Sequence, residues 1–137
     1  MEIHYPALFT KEETGYFVQF VDLEEAFTEG ETLESAQFYA AEVLTLTLQG
    51  RLEEGQPIPE PSPAGEGMLL IAPDAKTQAA LLFRRARQDR TIADVARALG
   101  TSWPAAQRLE DPNHWPSLKQ LEKAAAVLGR RLVLSFE

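Results

Sequence analysis

Apolar side chains alternate with polar ones over residues 2–30, then recur every third or fourth position over residues 33–48 and again beyond residue 76. Alternation is the signature of a half-buried strand and three-to-four spacing that of a helix face, so a small sheet is expected before a series of helices. Ile3, Tyr5, Ala7 and Phe9 form one apolar row, and Pro6, which has no amide to donate, places this strand at an edge. Lys11–Gly15 is a polar turn, and Tyr16–Val21, rich in aromatic and branched residues, is the second arm of a hairpin. A short strand at Ala26–Thr28 comes next. Thr32 is then an N-cap, Glu34 favours the positive end of the helix that starts there, and Leu33, Ala36, Ala40, Val43, Leu44 and Thr47 lay that helix on the sheet. Met68–Ala72, apolar throughout, is a further strand that completes the sheet or bridges to the second half of the chain.

The second half reads as four helices and a strand. Thr77–Arg90 carries Leu81, Leu82 and Ala86 at helical spacing. Thr91 caps a second helix whose stripe, Ile92, Val95, Ala96 and Leu99, stops at Gly100, a residue suited to the left-handed conformation. Ser102 caps a third, Trp103–Glu110, with Pro104 in its first turn where a missing amide matters little. After the break at Asp111–Pro116, Ser117 caps a fourth helix that ends at Gly129. The tail Arg130–Glu137 alternates Leu132, Leu134 and Phe136, as a strand does; it is expected to pair with a second copy or with Met68–Ala72.

Composition adds a division that the averages conceal. The chain of 137 residues has a formal charge of −8 and no cysteine, which excludes disulfides, thiolate metal sites and thiol nucleophiles. Residues 1–67 hold two basic side chains, Lys11 and Arg51, against fourteen acidic ones and carry −12, whereas residues 68–137 carry +4. The sign changes at Gly55–Gly67, where prolines at every second position imply an extended, polyproline II stretch ending in a flexible hinge. His4 and His114 each lack a second ligand at metal spacing, so neither a metal nor a cofactor is expected. The chain has no basic leader followed by an apolar core, and no apolar run long enough to cross a membrane, which points to the cytoplasm.

Four runs occur in order: Tyr5-Pro6-Ala7, Gly15 through Leu23, Thr28 through Ala36, and Ile58-Pro59-Glu60-Pro61-Ser62. Together they resemble the HicB family of antitoxins. The chain departs from the family's usual Pro-Asp-Leu-Pro-Gly by having Val21-Asp22-Leu23-Glu24-Glu25. Residues 77–130, through Ile92–Ser102, Gln107–Glu110 and Pro116–Gly129, resemble the phage-repressor or Xre type of DNA-binding domain. These resemblances imply an α+β chain in two parts. Residues 1–72, with the proline-rich segment 56–66 inside them, would be a small partial ribonuclease-H-like sheet-plus-helix domain that binds a small basic HicA-like RNA-cleaving toxin. Residues 73–137 would be an all-α helix-turn-helix domain with a C-terminal strand, which binds operator double-stranded DNA and forms a homodimer or higher oligomer.

Carried over by position, Ser102, Trp103, Gln107 and Arg108, with Arg90 and Thr91, are the candidate DNA contacts. Arginine reads guanine and glutamine adenine through paired hydrogen bonds, whereas Pro104 and Ala105 give the third helix a poorer reading surface than is usual. Asp22, Glu24 and Glu25 are the candidate toxin contacts. Two other functions stay open at this level: a stand-alone regulator whose N-terminal part senses a ligand or oligomerises, and a metal-dependent nuclease built on Asp22. The nuclease would need several carboxylates around its metals, and Asp22 is the one that directly follows a strand.

Overall fold

The N-terminal alternation becomes a four-stranded antiparallel sheet in a computed structural model that describes residues 1–137. Strands β1 (Tyr5–Glu12), β2 (Gly15–Phe20), β3 (Phe27–Gly30) and β4 (Met68–Ile71) lie in the order β3-β2-β1-β4. Helix α1 (Leu33–Glu53) covers one face. Beneath it Tyr5, Ala7, Val18 and Phe20 meet Ala36, Ala40, Leu44 and Leu48, all buried, so the predicted apolar row and stripe make the core. Thr32 caps α1 through a reciprocal pair with Ser35. At Gly30 the first turn of α1 approaches so closely that an added Cβ would lie 2.5 Å from the Ala36 nitrogen.

Pro6 does not mark an edge: β1 is an inner strand, with β2 on one side and β4 on the other. In an antiparallel ladder the N–H and C=O of one residue point to the same neighbour. The Pro6 carbonyl accepts from the Val21 amide (3.1 Å), so its missing N–H also faces Val21, one residue past the end of β2. Towards β4 the register pairs Tyr5 with Ile71 and Ala7 with Leu69, and those residues keep their donors. The hairpin turn is also tighter than the polar run Lys11–Gly15 suggests. Glu12 pairs with Gly15, leaving Glu13-Thr14 as the loop, and the Lys11 ammonium lies 4.6 Å from the centre of the Tyr16 ring.

The chain divides into two compact units, Met1–Thr77 and Gln78–Glu137. The proline-rich segment belongs within the first of them as an ordered strap rather than a flexible hinge. The Tyr5 hydroxyl donates to the Pro59 carbonyl (2.7 Å), the Arg51 guanidinium to the Pro57 carbonyl (3.1 Å), and the Ser62 amide to the Asp22 carboxylate (2.9 Å). The alternating prolines leave few amides for a ladder, so side chains from the sheet and α1 hold the strap by its carbonyls and by Ser62.

Helix α2 (Ala75–Arg87) starts at the junction, where Asp74 accepts from the Thr77 amide. The second unit continues with α3 (Ile92–Leu99), α4 (Trp103–Gln107), a single 3-10 turn (Arg108–Glu110) and α5 (Leu118–Val127). Phe83, Val95, Leu109 and Ala124 form its core, with Ile92, Leu99, Val127 and Leu128 packed around them. The expected C-terminal strand is not formed. Residues 130–137 belong to no helix or strand, and β4 takes β1 as its partner. A strand exists through the ladder it makes with a neighbour, and alternation alone supplies none.

Candidate functional site

In the second unit, local chemistry fixes a helix, a three-residue turn and a second helix. The Thr91 hydroxyl accepts from the Asp94 amide and caps α3. Gly100 adopts φ 67°, ψ 36°, and the Thr101 amide returns to the Ala96 carbonyl (3.0 Å), closing the helix as a left-handed C-terminal glycine does. Ser102 then caps α4 by accepting from the Ala105 amide. Leu109 and Ala106 face the core, so the alternate face of α4 and its 3-10 extension looks outward. Trp103 (53% exposed), Gln107 and Arg108 stand there.

The six residues singled out for DNA therefore divide. Trp103, Gln107 and Arg108 present free surface, whereas Thr91 and Ser102 use their hydroxyls as caps. Arg90 donates to the Val127 carbonyl (2.8 Å) at the negative end of α5. Nearby Arg87, another basic residue of that stretch, is taken up by a two-pronged pair with Glu110 (2.8 and 3.1 Å) and by the Arg90 carbonyl. The guanidinium ties α2 to the 3-10 turn, which holds Arg108 at a set place on the outer face.

In the first unit the three acids proposed from sequence also have distinct roles. Asp22, half-buried, accepts from the Ser62 amide and hydroxyl and so anchors the strap. Glu25 receives both Nε and a terminal nitrogen of Arg51, each at 2.8 Å. That paired hydrogen bond holds its carboxyl at about 2, well below the usual 4.5, and raises the arginine above its ordinary value. Glu24 stays exposed beside an open cleft of about 390 Å³ that Glu25, Arg51, Gln56 and Pro57 also line.

Two apolar areas of this unit face outward. On the sheet face opposite α1, Leu8, Phe27 and Leu70 are exposed, and the Phe17 and Phe27 rings lie 6.3 Å apart. Along the outer ridge of α1, Glu34, Phe38 (64% exposed), Glu42 and Leu46 (67% exposed) succeed one another at four-residue steps, so each apolar side chain has a carboxylate one turn away. Reading the inward stripe of α1 passed over this ridge. The signal was present, because Phe38 and Leu46 fall outside the buried spacing. The strap contacts of Tyr5 and Arg51 were missed as well; one hint was that Arg51 is one of just two basic residues among fourteen acids.

These features define an α+β protein in which an acidic sheet-and-helix unit precedes a basic, all-helical one. The first unit holds three basic and fifteen acidic side chains, a charge of −12, and the second carries +4. The family model described as the HicB-like antitoxin of bacterial toxin-antitoxin systems matches residues 4–78, nearly the whole first unit. The chain is 34% identical to Antitoxin HicB 2 of Photorhabdus laumondii over 96% of its own length and 95% of that protein's. It is 30% identical to Antitoxin HicB of Escherichia coli K12 over 96% and 98%. The chain belongs to the HicB-like antitoxin family, a non-enzymatic family whose likeness to it extends through both units.

Proposed function

We propose that the chain is the antitoxin of a HicAB-type pair, acting in the cytoplasm. Its first unit, a partial ribonuclease-H-like domain, binds and neutralises a small basic HicA-type toxin. Its second, a dimeric helix-turn-helix domain of the Xre type, binds the operator of its own operon and represses it. The observation that carries this reading is the pairing of opposite charges with the family likeness: −12 on the unit matched by the antitoxin model, +4 on a unit built as helix, tight turn, helix. An acidic surface steers a basic protein and a basic one steers DNA, so each unit favours a different partner.

The toxin-facing surface in this reading is the outer ridge of α1, with Glu24 as the exposed member of the acids after β2. Phe38 and Leu46 supply apolar anchors, and Glu34 and Glu42 supply charge beside them. On the DNA side, Gln107 and Arg108 reach the bases and Trp103 meets the groove edge or phosphates. Arg90, Thr91 and Ser102 stand close to the backbone path and orient the two helices.

The test is co-expression of the whole chain with the small basic protein encoded beside it, followed by co-purification and a gel-shift with the DNA upstream of both genes. A stable complex and a retarded band support the reading. Failure of the two proteins to associate overturns the antitoxin role, and failure to bind that DNA overturns the repressor role. Within a complex that forms, Phe38→Glu is expected to weaken association at least about tenfold, the scale of losing one interface anchor.

A further inference from the structure

The start of α4 is apolar where the start of a helix is ordinarily polar. First-turn amides point out of a helix and suit a phosphate oxygen. In α4 the second position is Pro104, which has no N–H, and the third, Ala105, gives its amide to the Ser102 hydroxyl (3.3 Å). No basic side chain lies between Ser102 and Gln107. This turn presents hydrocarbon instead: the Trp103 indole is 53% exposed, and Pro104 next to it is exposed as well.

Burial decides which way that turn looks. Ala106 and Leu109 face the core, so Trp103 stands one turn before Gln107 on the outer ridge, and Pro104 one turn before Arg108. The two apolar side chains therefore share a surface with the two polar ones that the operator reading assigns to bases. Trp103 and Gln107 are about 6 Å apart along the helix axis, within about two base-pair steps.

We propose that Trp103 reads thymine, by covering its 5-methyl group in the major groove within about two base pairs of the base met by Gln107. This deepens the proposed operator binding and rests on it. Base edges in that groove carry hydrogen-bond donors and acceptors at every pair, and the thymine methyl is the one apolar group among them. An exposed ring gains by covering that methyl. Set against an amino group or a carbonyl, it takes water from a polar group and returns no bond. A phosphate is the poorer target too, because it calls for positive charge, and this turn has none. The charge comes from elsewhere in the unit, which carries +4, with Arg108 on the same outer face.

The test is titration of the full-length chain with the DNA upstream of both genes, prepared once with thymine and once with uracil throughout, which differs only in lacking the 5-methyl. The unaltered chain is expected to bind the uracil form at least about fourfold more weakly, the worth of one buried methyl group. Trp103→Ala is expected to weaken binding to the thymine form and to bring the two forms within about twofold of each other. Trp103→Phe keeps an apolar ring without the indole N–H and is expected to retain the discrimination. Far-ultraviolet circular dichroism of both variants verifies that the helices persist. Equal binding of the two forms by the unaltered chain overturns thymine reading while the repressor role stands. Discrimination that survives Trp103→Ala, or that is lost in Trp103→Phe, overturns the apolar contact assigned to this ring. An unaltered chain that binds neither form overturns the operator reading and this inference together.

Discussion

The carboxylate of Asp22 receives both the amide and the hydroxyl of Ser62, forty positions further along the chain. One side chain at the end of β2 thus fastens the midpoint of a strap that runs from α1 back to β4. An acid two residues past the end of a strand invites a catalytic reading. Here each of its oxygens accepts from a donor of Ser62, and no group of three His, Asp or Glu side chains is placed to share a metal with it. Asp22→Ala is expected to destabilise the first unit by about 1–3 kcal/mol, the scale of hydrogen bonds to a charged group, read as a lowered denaturation midpoint. Unchanged stability would show that the strap is held by other contacts.

The Glu25–Arg51 pair gives the same unit a pH dependence of known sign. Folding lowers the Glu25 carboxyl from 4.5 to about 2, so its contribution is fully present above about pH 4.5 and is lost as the pH falls toward 2. The Glu25 side chain is nearly half exposed, and solvent screening limits the contribution to about 1 kcal/mol or less. Arg51→Ala is expected to lose that amount at neutral pH, together with its bond to the Pro57 carbonyl, and the difference from the unaltered chain should shrink between pH 4.5 and 2. A gap that stays constant over that range would assign the loss to the strap contact alone.

Gly30 is the tightest point between sheet and helix. With the Ala36 nitrogen 2.5 Å and its Cα 2.7 Å from where a Cβ would sit, the obstruction is backbone and has no flexible end to move aside. Gly30→Ala is expected to cost about 1–3 kcal/mol by forcing α1 away from β3. Gly50→Ala is the control: nothing lies within 4 Å of its added Cβ, and alanine is the better helix former there. Thermal unfolding of both variants checks the pair.

Much of this organisation was legible because it is local. Thr32, Thr91, Ser102 and Ser117 each cap the helix they precede by a bond to a residue three positions on, and the apolar spacings at Ala36 to Leu48 and at Ile92 to Leu99 state which faces turn inward. The contacts that were not legible depend on partners far away in sequence. Tyr5 meets the strap 54 positions on, and no local rule announces that contact. Pro6 sits inside the sheet because β2 happens to end opposite it. The α-helix that starts at Trp103 gives way to a 3-10 turn at Arg108, where Arg87 grips Glu110 from another helix. The exposed ridge of Phe38 and Leu46 on α1 lies outside the spacing of the buried stripe, and a rule that looks for one inward face does not announce it.

Arg108, exposed on the outer face, and Thr91, the cap of α3, give the proposed operator binding and the folding of the second unit separate tests. Arg108→Ala is expected to weaken operator binding by about 1–3 kcal/mol if the guanidinium reads a base, with no loss of thermal stability. Thr91→Ala removes the cap of α3 and is expected to lower stability by about 1 kcal/mol instead. Titration of both variants with operator DNA, beside their unfolding curves, distinguishes the two roles. Operator affinity unchanged in Arg108→Ala would remove that residue from the reading surface.

The strap has one more consequence, and it concerns the chain before it folds. Pro57, Pro59, Pro61 and Pro63 restrict the unfolded segment, because each ring fixes its own φ before folding as well as after it. The freedom surrendered when Tyr5, Asp22 and Arg51 take hold is correspondingly small. Each proline whose conformation already matches the native one spares about 0.4–1 kcal/mol of conformational entropy. The return from α1 to β4 is thus closed by a link that is stiff from the outset, and part of the sheet's stability resides in an unfolded state with few other places to go.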